Sequence, residues 1–146
     1  MDKNLKYQLA PQWKVYEEIG YKWLPFIMFK EPPNYRSNIL NTDDRGFRFN
    51  SKNLIQNESI FKIKKKNKTS LILGGSFAFG VGSTSDQNTI SGYLSKSENN
   101  YLNLSGSAHI GFQELISIFS NINLIDNIEE IIFISGINDL YLSNFF

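Results

Sequence analysis

Apolar residues recur along this chain in two rhythms, and the change between them falls near residue 69. From Pro11 to Trp23 the large side chains Trp13, Tyr16, Ile19 and Trp23 stand three or four apart, with Lys14, Glu17, Glu18 and Lys22 between them. That spacing predicts a short amphipathic helix. The next stretch, LPFIMFKEPPNYRSNILNTDDRGFRFN, carries prolines, an Asn-Thr-Asp-Asp run and Gly46, which predict extended pieces joined by turns. Residues 1–68 thus read as an N-terminal lead-in packed on a domain formed by residues 69–146.

Beyond Lys68 short β-rich runs alternate with helical spacing. The runs are TSLILGG, NYLNL and EEIIFIS. Between the first two, DQNTISGYLSK repeats through Ile90, Tyr93 and Leu94; between the last two, GFQELISIFSNINLI sets Phe112, Leu115, Ile116, Phe119 and Ile122 on one face. Strand, helix, strand, helix, strand predicts an α/β fold, a parallel sheet with helices packed against it. The near-continuous apolar character of the runs predicts strands covered on both faces. Tyr93, Phe112 and Phe119 are expected in the core, and Arg45 and Arg48 are expected to pin the lead-in to the domain.

Composition narrows the picture by exclusion. At 146 residues, with no repeat or break in composition, one domain is the default. A net charge of +1 supplies no field that would draw nucleic acid or a membrane surface. The one basic run, KIKKKNK at residues 62–68, lacks an aromatic platform or a second basic cluster, and reads as a solvated approach to the first strand. Absence of cysteine removes disulfides, thiolate metal sites and thiol nucleophiles, and His109 is the one histidine. The N-terminus has no apolar core of signal-peptide type, and LPFIMF is too short to span a bilayer, so the chain as given is expected in the cytoplasm with no membrane partner.

In an open parallel sheet, ligands bind beyond the carboxyl ends of the strands. The segments delivered there are GGSFAFG, SGSAHIG and SGINDL, each rich in small and short polar residues. The first could be a phosphate cradle, but Val81 and Gly82 stand where a P-loop needs lysine and a hydroxyl. A dinucleotide fingerprint starting at Gly80 fails at Ser85, and the G-x-S-x-G elbow fails at Ala78. What remains is Ser76, a hydroxyl between a strand and a helix, with backbone N–H groups nearby.

In combination and order, GGSFAFGVG, NLSGSAHIGFQEL and SGINDL resemble the first three blocks of the SGNH (GDSL-like) hydrolases, named for Ser, Gly, Asn and His. LNTDDRGFR resembles an Asn-x-x-x-x-Gly-x-Arg stretch found upstream in many bacterial members, so the likeness covers residues 24–140. The resemblance implies a three-layer, flavodoxin-like sheet and a serine ester hydrolase or O-acyl transfer activity on a small-molecule or glycan ester, with no cofactor and no metal. It implies that Ser76 is the nucleophile and that its own N–H, the Asn138 amide and a backbone N–H from the second block form the oxyanion hole. The second-block donor is open: counting five from Asn103 reaches Ala108, whereas the nearest glycine is Gly106. Gly75, His109 and Asp139 fall on the substrate side, with Asp139 read as an orienting acceptor. The family's Asp-x-x-His block has no match before Phe146, and we read the domain as C-terminally incomplete and weakly active or inactive as given. His109 reads as a pocket-lining residue rather than a replacement base. The alternative is a non-catalytic α/β binding module with a degenerate site. If EEIIFIS is the last strand, its open edge is expected to promote self-association.

Overall fold

The computed structural model describes residues 3–50, 59–62, 68–96 and 99–144. In chain order its elements are α1 (Lys3–Leu9), α2 (Trp13–Glu18), β1 (Lys22–Leu24), β2 (Met28–Lys30), β3 (Thr69–Gly74), α3 (Ser76–Phe79), α4 (Ile90–Leu94), β4 (Asn100–Asn103), α5 (Gly111–Asn121), β5 (Ile128–Ile134) and α6 (Ile137–Ser143). The predicted helix through Trp23 is shorter than its spacing suggests. Gly20 adopts a left-handed φ of +67° just after α2, and Trp23 passes onto the exposed antiparallel hairpin β1–β2. A left-handed residue cannot continue a right-handed helix.

The larger sheet has three parallel strands in the order β4-β3-β5. All six residues of β3 are buried, as a strand covered on both faces requires. Leu71 and Leu73 join Leu102, Leu104 and Ile118 in the main core, together with Phe47, Phe49 and Ile60 from the lead-in. Each such side chain contributes about 1.5–3 kcal/mol when fully buried. The lead-in therefore completes this core. A second cluster holds Tyr16, Leu40 and Phe79.

Between those clusters lies Arg48, fully buried, its Nε donating to Asp86 Oδ1 at 2.8 Å. Its Nη1 donates to the Tyr16 hydroxyl at 2.9 Å and the Gly80 carbonyl at 2.8 Å, and its Nη2 to the Ile39 carbonyl at 2.9 Å. Asn41 Nδ2 donates to the other Asp86 oxygen at 2.7 Å. The expected pinning role of Arg48 is thus a set of named bonds. Burial raises the Asp86 pKa, opposed by the Arg48 charge and the Asn41 hydrogen bond. Arg45 makes a second tie, from Nη1 to Asn121 Oδ1 at 3.0 Å.

Three predicted core residues are exposed: Tyr93 at 59%, Phe112 at 61% and Phe119 at 73%. On α5 the inward residues are Gln113, Glu114, Ser117, Ile118 and Asn121. Gln113 Nε2 donates to the Ile27 carbonyl at 2.9 Å, and Asn121 takes the Arg45 bond. Two of the five inward residues thus bond to the lead-in, and the apolar stripe faces outward. On α4 the inward residues are Ser91 and Gly92; a Cβ on Gly92 would lie 2.2 Å from the Asp86 carbonyl oxygen, so only glycine lets the two backbones meet there.

β5 also departs from the pattern of strands covered on both faces. It pairs with β3 along one side, and none of its residues is fully buried. Its acidic residues have partners within the chain: Lys68 Nζ donates to Glu129 Oε1 at 2.6 Å and Ser70 Oγ to Glu130 Oε1 at 3.1 Å. Residues 63–67 of the basic run lie outside the described residues.

Two outcomes follow from this packing. Replacing Arg48 by methionine leaves the Asp86 carboxylate buried without its cation and is expected to cost about 3–5 kcal/mol, read from urea denaturation. The open side of β5 is a template for a further strand, so sedimentation velocity of the 146-residue chain should show association that grows with concentration and weakens in Phe133→Lys. A single monomeric species at every concentration would count against a role for this edge.

Candidate functional site

The chain runs from β3 to its neighbour β4 and then crosses to β5 on the opposite side, so the loops after β3 and β5 diverge at a switch in strand order. A cleft of about 100 Å³ opens there, lined among others by Gly75, Ser76, His109, Ser135, Gly136 and Asn138. All three loops of the sequence reading contribute to it.

Ser76 is the first residue of α3, and its carbonyl accepts from the amides of Gly80 at 3.0 Å and Val81 at 2.9 Å. Its own amide and hydroxyl have no hydrogen-bond partner among the described residues. Gly75 explains how the third loop approaches so closely. A Cβ at that position would lie 2.5 Å from Asn138 Nδ2 and 3.2 Å from the His109 carbonyl oxygen. Asn138 Nδ2 in turn donates to that His109 carbonyl at 2.7 Å. One point of contact therefore joins the backbone before Ser76, the second loop and the Asn138 carboxamide. Asp139 adds a second tie, accepting from the Gly111 amide at 3.0 Å, across to the second loop rather than within its own.

The second loop separates Gly106 from Ala108. The Gly106 amide donates to the Gly74 carbonyl at 3.2 Å, and a Cβ at Gly106 would collide with the His109 ring at 2.3 Å. From residue 104 to residue 111 every amide but one has an acceptor: Leu104 on Ile72, Ser105 on Asn103, Gly106 on Gly74, Ser107 on Glu31, His109 on Gly106, Ile110 on Gln113 and Gly111 on Asp139. The exception is Ala108, which is exposed and held at a φ of +61°. Ala108, one of the two candidates for the second-block donor, thus has a backbone conformation that glycine favours.

His109 is 1% exposed, and its imidazole turns to the hairpin, where Nε2 lies 3.1 Å from the Phe29 carbonyl oxygen. That acceptor assigns the proton to Nε2. Burial lowers the His109 pKa, the Lys30 charge lowers it further, and the Phe29 hydrogen bond and Glu31 oppose them. A neutral ring bonded to Phe29 has no hydrogen bond to Ser76. Lys30 is itself buried, its ammonium 3.6 Å from the centre of the Phe47 ring, and burial pushes its pKa down to about 8 against the pull of Glu31 and Asp43.

Further residues of the third loop, and others from the lead-in that pattern reading passed over, complete the site. Ser135 and Gly136 line the cleft from the end of β5, and Phe29 and Glu31 hold the second loop from the hairpin. Glu114 is buried on the inner face of α5; burial raises its pKa, the Ser135 hydroxyl opposes the rise and Asp139 adds to it. Local sequence carries no signal for Glu31, since its partner is 76 residues away. Among the described residues no group of three or more acidic or histidine side chains is placed to hold a metal, and no helix is long and apolar enough to cross a membrane. Compared with protein-family models and with curated proteins, the chain matches none.

The buried neutral imidazole has a consequence for stability. The unfolded chain takes up a proton near His109's ordinary value of 6.5, while the folded chain resists doing so until lower pH. Stability is therefore expected to fall as pH drops below 6.5, by up to about 1.4 kcal/mol per pH unit. Urea midpoints measured from pH 7.5 to 5.5 should show this fall, and His109→Gln should flatten it.

Proposed function

We propose that this chain carries the nucleophile and oxyanion-hole portion of an SGNH-type serine ester hydrolase or acyl-transfer site, on a flavodoxin-like sheet of which β4-β3-β5 supplies the order 2-1-3. The observation that carries the reading is the contact of Asn138 with Gly75, which brings a carboxamide donor beside the residue preceding an unpartnered serine. In this reading Ser76 Oγ attacks the carbonyl carbon of an ester. The carbonyl π electrons move onto oxygen, and the oxyanion is met by the Ser76 and Ala108 amides and by the Asn138 N–H that remains beside its bond to His109. Collapse of the tetrahedral intermediate expels the alkoxide, which takes up through solvent the proton that Ser76 gave up, and leaves an acyl-serine whose acyl group passes to water or to a second alcohol.

The serine proton needs an acceptor, and among the described residues no basic side chain is hydrogen-bonded to Ser76. Ser76 is therefore a weak nucleophile in this chain. The same observation favours a second reading, in which amide donors at the rim bind a carboxylate or carbonyl ligand without turnover. A small-molecule or glycan ester fits the first reading, and an oxyanion ligand alone fits the second.

The two readings diverge under a fluorophosphonate probe. Slow phosphonylation of Ser76 is expected, lost in Ser76→Ala, and slowed roughly a further hundredfold in Asn138→Ala, the range expected for one oxyanion donor. Labelling of Ser76 no faster than in the urea-unfolded chain would discard the esterase reading. Rapid labelling that vanishes in His109→Gln would instead make the histidine a base.

A further inference from the structure

The oxyanion loop is gripped from outside the sheet, by a hairpin whose residues belong to the lead-in. From the hairpin and the residue after it, three bonds reach the loop and one reaches α5: the Phe29 carbonyl faces His109 Nε2 at 3.1 Å, Lys30 Nζ donates to the Ser105 carbonyl at 3.5 Å, Glu31 Oε1 accepts from the Ser107 amide at 2.8 Å, and the Ile27 carbonyl accepts from Gln113 Nε2 of α5 at 2.9 Å. Only the Glu31 bond reaches a backbone amide adjacent to Ala108. Resting on the reading of Ser76, Ala108 and Asn138 as an acyl-transfer site, we propose that Glu31 is a positioning residue for it, fixing the Ser107 peptide so that the Ala108 amide, next to the cleft-lining His109, stays without an intramolecular acceptor.

Ala108 is where such a constraint is needed. At a φ of +61° it occupies a region that an alanine leaves unless its surroundings over-determine it. On its C-terminal side, the His109 amide is bonded to the Gly106 carbonyl at 3.3 Å and the imidazole is bonded to Phe29. On its N-terminal side the restraint at Ser107 comes from the Glu31 carboxylate. Without that acceptor the Ser107 N–H is left buried and unbonded, and the loop can regain a partner for it only by turning peptides on which the Ala108 amide depends.

Glu31 is built to act as a fixed point. It is 1% exposed, and the turn beside it is packed so closely that a Cβ on Gly46 would lie 2.2 Å from the Glu31 carbonyl oxygen. Gly46 meets this approach at a φ of +81°, which glycine adopts without strain. The buried Lys30 ammonium provides a countercharge, and a carboxylate makes a stronger bond to an amide than a neutral acceptor does. The lead-in thus restrains Ala108 on its N-terminal side through one carboxylate oxygen and on its C-terminal side through the Phe29 carbonyl.

Two variants of the full chain separate positioning from mere support. Glu31→Asp keeps the charge but draws the oxygen back by one methylene, and Glu31→Gln keeps an acceptor at the same reach. In Glu31→Asp, hydrogen exchange of the Ser107 amide should quicken about tenfold or more, while the β3 amides of Leu71 and Leu73 keep their protection. Ser76 phosphonylation should slow by about tenfold or more, since sub-ångström displacement of a donor is felt strongly in rate. Glu31→Gln, with a neutral acceptor at the full reach, should recover most of both. Faster Ser107 exchange with an unchanged phosphonylation rate would overturn the positioning role and leave the esterase reading intact, as would unchanged exchange or a failure of Gln to restore the rate. No Ser76 phosphonylation in the unaltered chain would overturn the esterase reading and this role together.

Discussion

A single buried guanidinium ties the architecture together. Arg48 has no access to solvent, so its donors must find acceptors inside the protein, and the acceptors it finds come from three directions. Asp86 and Gly80 belong to the segment after α3, Tyr16 to α2, and Ile39 to the extended lead-in. Meeting that demand requires the lead-in to wrap the sheet and α3 to end at Gly80, whose left-handed φ of +89° helps turn its carbonyl toward Arg48. With its C-terminal end held in this way, the four-residue helix can present Ser76 at its other end only in one place.

The same logic of completed hydrogen bonds runs along the second loop. A buried N–H without an acceptor costs about 1–3 kcal/mol, and the loop meets this constraint with partners drawn from β3, its own side chains, the third loop and the hairpin. The one amide left over, at Ala108, belongs to an exposed residue, where the cost of burying an unbonded N–H does not arise. An uncommitted donor on a loop otherwise fully engaged is pre-organised, and pre-organised donors are what stabilise charge as it develops.

Much of this was legible from residue patterns. β-branched and leucine-rich runs located β3, β4 and β5, and their alternation with helical spacing implied parallel pairing, because parallel neighbours need a crossover. Small residues after each run marked the rim where Ser76, His109 and Asn138 meet. Periodicity failed on α4 and α5. It records which side chains are apolar, whereas the face of α5 buried here carries Gln113, Glu114, Ser117, Ile118 and Asn121, leaving Phe112 and Phe119 outside. It failed again at β5, since an apolar run does not reveal how many neighbours a strand acquires.

By itself the sequence determined the alternation of strands and helices, the place of the serine after the first run and the asparagine after the third, and the turn chemistry of the lead-in, because these depend on contacts within a few residues. Only the tertiary structure decided that Ala108 rather than Gly106 keeps a free amide, that the His109 ring faces Phe29, and that Glu31 braces the loop from 76 residues away. Each of these is a choice among acceptors brought together by folding. Hydrogen bonds act over about 3 Å, and no spacing along the chain specifies which distant atoms will come within that reach.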